Sequence, residues 1–305
     1  MKRRNFIKTV AGTAAPAWMA AAQTVNASDG FKFKYIVGSS MFGELSLSEI
    51  LPLMVEMKTE FIDIWPRKHG NQREQVEEMG HDKFAAMLKE HGVKLGCSTR
   101  YDLGPFGLQE EMKVVSILGG DLLVCGGRGP KKLKGAELKA AVKVFAEKMK
   151  PQIEAAEKNG VVIGMENHGN NIMDSADSLK WYVEFTDSKH TGIALAPYHL
   201  ESLGMDSNDL AKLIEDLGDR MAMFYAWQHG MGCTKKMPKQ QELMQMPGRG
   251  KLDFGPIVAA LKKSQYQGYT EIFMHPTPRG IPILPTAKEV ADEINRARVY
   301  LEKWV

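Results

Sequence analysis

The sequence predicts an α/β chain folded as one (β/α)8 TIM barrel, and three observations carry that expectation. Short apolar runs alternate with helical patterns from Phe31 onward, and the alternation repeats eight times. The runs are also apolar on both faces, as strands buried between a core and an outer layer of helices must be. A doubly wound open sheet would share the alternation, but its first strand-to-helix turn carries glycines that admit a dinucleotide phosphate. Here that turn reads Gly38, Ser39, Ser40, Met41, Phe42, Gly43, without the G-x-G-x-x-G spacing, so no nucleotide cofactor is expected.

The elements follow in order. The first run covers 34–38; Ser46 with Glu49 then makes a capping box that opens a helix through 57. The second run, 61–65, leads to a helix over 82–91 that Gly92 stops. Runs three and four occupy 93–97 and 121–125, separated by a helix over 108–118. The longest helical pattern, 136–159, ends at Gly160 and contains Pro151, which predicts a kink or a split. Run five (161–165) precedes a helix over 175–185, and run six (192–195) precedes a helix that Asp206 caps. Run seven covers 221–227, a helix spans 254–264, and run eight covers 270–274. A second capping box, Thr286 with Glu289, starts the final helix.

The first residues read differently. Lys2, Arg3, Arg4, Asn5, Phe6, Ile7, Lys8 place paired arginines before an apolar pair, followed by an alanine-rich stretch. This is the pattern of a twin-arginine signal peptide, with Ala20, Ala21, Ala22 or Val25, Asn26, Ala27 as the cleavage site. Residues 1–27 are therefore assigned to the signal and 28–305 to a single barrel domain exported to the periplasm or beyond. A basic arm retained on the mature protein is the alternative. The stretch 9–22 is too short and too mildly apolar to span a bilayer, so no membrane association is expected after cleavage.

Composition narrows the partners. A formal charge of +3 in 305 residues, with no basic stripe interleaved with aromatics, argues against nucleic acid. The three cysteines, Cys97, Cys125 and Cys233, are far apart and odd in number, which gives neither a disulfide framework nor zinc-finger spacing.

In such a barrel the loops after the strands form the mouth where chemistry takes place. Trp65 ends run two and Lys68 and His69 follow it; Arg100 and Asp102 follow run three, and Arg128 run four. Glu166, Asn167 and His168 follow run five and Tyr198 and His199 run six; Trp227 ends run seven, Gln228 and His229 follow it, and His275 and Arg279 follow run eight. A carboxylate at the end of an apolar strand, such as Glu166, has to be paired, hydrogen-bonded, metal-bound or protonated to tolerate desolvation. Trp65, Tyr101, Tyr198 and Trp227 can stack on sugar faces, and His69, Arg100, Arg128, Asn167, His168 and Gln228 offer polar contacts to a substrate.

Two segments carry a resemblance: Met165, Glu166, Asn167, His168, Gly169, and the longer Met246, Pro247, Gly248, Arg249, Gly250, Lys251, Leu252, Asp253, Phe254. With them the chain resembles the sugar phosphate isomerase/epimerase group of xylose-isomerase-like barrels over nearly its whole length after the signal. The resemblance implies a divalent metal held by Glu, Asp, His and Glu after strands five to eight. Glu166 matches the first position, but Ala196, Ala226 and His275 stand at the other three. Two readings follow. Glu166, His199, His229 and His275 can form a rebuilt site for zinc or manganese. Alternatively no metal is used, and Glu166 with His275 performs acid–base chemistry. The resemblance implies proton abstraction next to a carbonyl of a free sugar, keto-sugar or glycoside fragment, by isomerisation, epimerisation or β-elimination. A carbohydrate-binding barrel without turnover is the alternative.

Overall fold

The computed structural model describes residues 30–305, so the expected signal peptide lies outside the described residues. Eight parallel strands close in sequence order: β1 (Lys34–Gly38), β2 (Phe61–Ile64), β3 (Lys94–Thr99), β4 (Leu122–Gly126), β5 (Val162–Glu166), β6 (Thr191–Leu195), β7 (Met221–Ala226) and β8 (Tyr269–Ile272). The barrel shuts where β1 meets β8, with Ile36 opposite Glu271. Around the ring Gly38 faces Asp63, Gly126 faces Glu166, and Tyr225 faces Glu271, which puts three acidic residues inside the strand layer. Strands β4, β5 and β6 are buried along their whole length, as the two-sided apolar runs require.

The helices hold the barrel from outside. The helix Ser207–Leu217 buries Leu210, Leu213, Ile214 and Leu217, a 3–4 spaced stripe that can only face a neighbour, and Asp206 caps it by accepting from the amides of Asn208 and Asp209. The final helix, Ala287–Leu301, begins at the expected Thr286–Glu289 capping box. No helix among the described residues is long and apolar enough to cross a membrane.

Two expected helices differ in detail. The helix expected over 46–57 is α-helical only at Leu47–Ile50 and tightens into a 3-10 turn at Leu51–Leu53, because Pro52 has no amide to continue the ladder. By contrast Gly135–Asn159 runs unbroken through Pro151. Pro151 is exposed, so the carbonyl it leaves without a donor faces water, and Gly160 ends the helix in the left-handed region at φ 68°.

Candidate active site at the barrel mouth

Glu166, the last residue of β5, is 4% exposed. Tyr101, in the loop after β3, donates its phenol hydrogen to Glu166 Oε2 at 2.5 Å. The ring reaches across β4 because that strand ends in glycine: a Cβ on Gly126 would lie 2.6 Å from Tyr101 Cε1. On the other side, His199 Nε2 stands 3.8 Å from Glu166 Oε1. Burial pushes the Glu166 carboxyl up to about 8, and Asp63 adds to the rise while the Tyr101 hydrogen bond pulls against it.

Four imidazoles at the mouth, those of His69, His168, His199 and His275, are held neutral. Burial pushes His199 down to about 3, with His168 and His229 adding to the fall, so its approach to Glu166 is not an ion pair at neutral pH. Burial also lowers His69 to about 4 and brings His168 and His275 below the ordinary range. These rings form a chain of aromatic contacts around the opening. His168 lies 4.3 Å from His199, His199 and His275 each meet the Trp227 ring edge-on at 5.3 Å, and His275 lies 4.6 Å from His69.

A cavity of about 420 Å³ is lined by Tyr101, Asp102, Arg128, His168, Asn170 and Asn171 among others; Glu166 lies behind its Tyr101 wall. A slightly larger one, about 450 Å³, lies at the opposite ends of the strands around Lys34, Asp121, Arg220 and Tyr269. There Arg220 donates to the carbonyls of Val183 and Thr191 and the Lys34 ammonium sits 3.8 Å from the centre of the Tyr269 ring, while Arg220 Nε and Asp121 Oδ1 have no partner among the described residues. The smaller cavity lies at the mouth, with Tyr101 connecting it to the perturbed carboxyl, and is the better substrate site.

The residues expected at the mouth divide into two groups. His168 and Arg128 line the cavity, and Tyr101 joins them with a direct bond to Glu166. The others are committed elsewhere. The Asn167 carboxamide donates to the Ala196 carbonyl at 2.9 Å and accepts the Ala196 amide at 2.7 Å, which pins the turn carrying Tyr198 and His199 to the end of β5. Gln228 likewise donates to the Met246 carbonyl and accepts the Leu252 amide, clasping the Met246–Leu252 segment. That segment is itself structural: Arg249 makes two bonds to Glu293, and Asp253 caps the helix Phe254–Lys263. Trp65 and Trp227 are buried, one stacked on Phe273 and the other on Tyr198. The Arg100 guanidinium is taken up by Asp102 and Glu111. His69 contacts His275 rather than the cavity lining, and His229 packs on Tyr198, 5.0 Å between ring centres.

Two interior residues were not singled out from the sequence. Asp63 on β2 and Glu271 on β8 are fully buried within the barrel, each lying inside a run read simply as apolar. A charged residue at the middle of such a run was the available clue.

A closed eight-stranded barrel whose polar, pKa-perturbed site sits at the C-terminal ends of its strands has the architecture of barrel enzymes. The chain belongs to the xylose isomerase-like TIM barrel family, whose model matches residues 51–299. Solved structures share the fold at low identity. The IOLI protein with a bound zinc atom superposes with a TM-score of 0.70 at 16% identity, covering 90% of this chain and 99% of its own. The 3-keto-D-glucoside 4-epimerase from E. coli gives 0.63 at 18%, covering 88% and 100%. D-psicose 3-epimerase from Clostridium cellulolyticum H10, with D-tagatose, gives 0.63 at 13%, covering 89% and 99%. No curated protein sequence matches the chain.

The metal implied by the resemblance does not fit the donor set. Ala196 and Ala226 supply no ligand atoms, and Glu166 and His199 are the two expected donors that adjoin. His229 packs on Tyr198 and His275 on His69, and the His275 Nδ1 has no hydrogen-bond partner among the described residues. Among the described residues no three His, Cys, Asp or Glu side chains converge as a metal-holding group, where zinc takes at least three protein ligands.

Proposed function

We propose that the chain is an enzyme of carbohydrate chemistry in which Glu166 removes and returns a proton next to a sugar carbonyl, with no metal in the step. The observation that carries this reading is the Glu166 carboxyl, pushed up to about 8 by burial and sited behind Tyr101 at the cavity. A base with that affinity, once ionised, is strong enough to take a carbon-bound proton and still return it near neutrality. His199, neutral and 3.8 Å away, bears no charge that would quench the base. His275, the expected partner, is buried against His69 and Phe273, so Tyr101 and His199 are the groups placed to assist Glu166. Among the described residues Arg128 is the one lysine or arginine lining the cavity, so a phosphate would meet a single cation there, which suits an uncharged sugar, keto-sugar or glycoside fragment better. Two of the barrels similar in fold bear the names of keto-sugar epimerases, and this reading agrees with them.

The test is exchange with heavy water. Incubated in D2O with free keto-sugars and 3-keto-glycosides, the protein is expected to wash deuterium into the carbon next to the carbonyl, seen by proton NMR. A base must be ionised, so kcat/KM should rise as pH passes about 8. Chelator should leave the rate unchanged. Saturable sugar binding with no exchange on any substrate would favour the carbohydrate-binding barrel instead.

We also propose export through the twin-arginine route, on the strength of Arg3 and Arg4. Replacing both with lysine should retain the precursor in the cytoplasm, as cell fractionation would show; normal export of that variant would refute the assignment.

A further inference from the structure

Below the mouth the barrel holds two carboxyls that nothing so far employs. Asp63 and Glu271 are each 0% exposed and meet at Gly38, which is the register partner of Asp63 and whose open side faces the Glu271 carboxyl. Thr99 donates to Asp63 Oδ2 at 2.7 Å, but Asp63 Oδ1 and both Glu271 oxygens have no donor among the described residues. Two ionised carboxylates cannot bond each other, since each only accepts. The titratable groups facing them are Cys97 on β3, Glu166 on β5 and Tyr225 on β7, which are neutral or negative and offer no counter-charge. The Tyr225 hydroxyl, on a residue 1% exposed, points into the same group and is likewise without a partner.

The backbone is built around this pair. Gly38 has φ −77°, open to any residue, so glycine is not needed there for conformation. It is needed for room: a Cβ on Gly38 would fall within the Glu271 carboxyl, 2.8 Å from its Cδ.

We infer that Asp63 and Glu271 form one proton-binding site inside the barrel, holding a single shared proton at neutral pH. Two buried carboxyls in contact keep one proton between them because a second ionisation would bury two adjacent negative charges without compensation. The inference does not depend on what the mouth binds. Burial pushes Asp63 up to about 7, and burial with the nearby Asp63 charge drives Glu271 well up, in agreement with the geometry.

A group whose affinity for a proton rises on folding stabilises the fold fully below its unfolded value and loses that contribution as pH climbs through its folded value. The pair should therefore take up protons on folding, a tenfold loss in the folding constant per proton and pH unit from about 4 upward; Asp63 gives up its share near about 7, and the proton that Glu271 keeps extends the loss above that. Urea unfolding of the full-length chain across pH 4–9 should show this slope. In Glu271→Gln and Asp63→Asn the amide supplies the bridging hydrogen, and the slope should fall by one proton. Infrared spectra at pH 7 should show a protonated carboxyl band that shifts in D2O and is lost in both variants, while the band of Glu166 remains. Should one variant fail to fold, the other decides together with the wild-type spectrum. Slopes and spectra that the variants share with the wild type would overturn the assignment.

Discussion

Glu166→Gln should lower turnover by about a hundredfold or more, the scale of general-base catalysis, while changing substrate affinity little. The replacement is close to isosteric. Its carbonyl can accept the Tyr101 hydrogen and keep that ring in place, while the Gly169 amide donates to His199 Nδ1, so the neutral imidazole carries its hydrogen on Nε2 and offers the new amino group no acceptor. What disappears is the capacity to take a proton. A hundredfold loss corresponds to about 2.7 kcal/mol of transition-state stabilisation. The fold should gain where activity falls. The wild-type carboxyl stabilises the folded state below about 4.5 and loses that contribution as pH rises to about 8, whereas the amide carries no such dependence. Steady-state kinetics on both proteins, with unfolding curves at pH 5 and 9, check the two halves. Retained turnover would remove Glu166 from the chemistry.

Asn167→Ala is expected to cost about 2–5 kcal/mol of folding stability, far more than its conservative size suggests. The carboxamide makes two buried bonds to Ala196, and their removal strands a backbone amide and a carbonyl away from water, each at about 1–3 kcal/mol. Loss of this clamp also frees the turn that holds His199 beside Glu166, so turnover should fall with stability. His168→Ala, removing an exposed ring that lines the cavity, should weaken ligand affinity at a smaller cost in stability. Urea midpoints and binding isotherms for the pair would separate a clamp from a contact residue. A change below about 0.5 kcal/mol in Asn167→Ala would refute the clamp.

These contrasts show what a single sequence does and does not disclose. All eight strands were legible, because a strand buried on both faces must be a short apolar run, and their ends moved by only a residue or two. The helix Gln72–Met79 was not legible. Its buried face is Gln72, Arg73 and Val76, and the polar two are satisfied by the carbonyls of Gly43 and Leu45 and by Glu111, so no apolar period marks it. The mouth was found by asking which residues follow each strand, a question that topology answers. Which of them face substrate was hidden, because Asn167, Gln228, Trp65 and Trp227 are spent on holding loops and packing rings. Carboxamides and indoles at strand ends read alike whether they bind a sugar or a neighbouring strand. Asp63 and Glu271 were concealed for the opposite reason: the apolar context that defines a strand drew attention from the one charge within it.

Gly38 and Glu271 also constrain how this barrel can change over generations. The space beside Gly38 belongs to the Glu271 carboxyl, so any side chain gained at position 38 while Glu271 remains collides with it. A descendant can shorten residue 271 first and then fill position 38, passing through a sequence with spare room. The reverse order requires the Glu271 carboxyl to move aside first. The two positions are thus an epistatic pair with a preferred order of substitution, in which the acid on β8 holds the glycine on β1 in place.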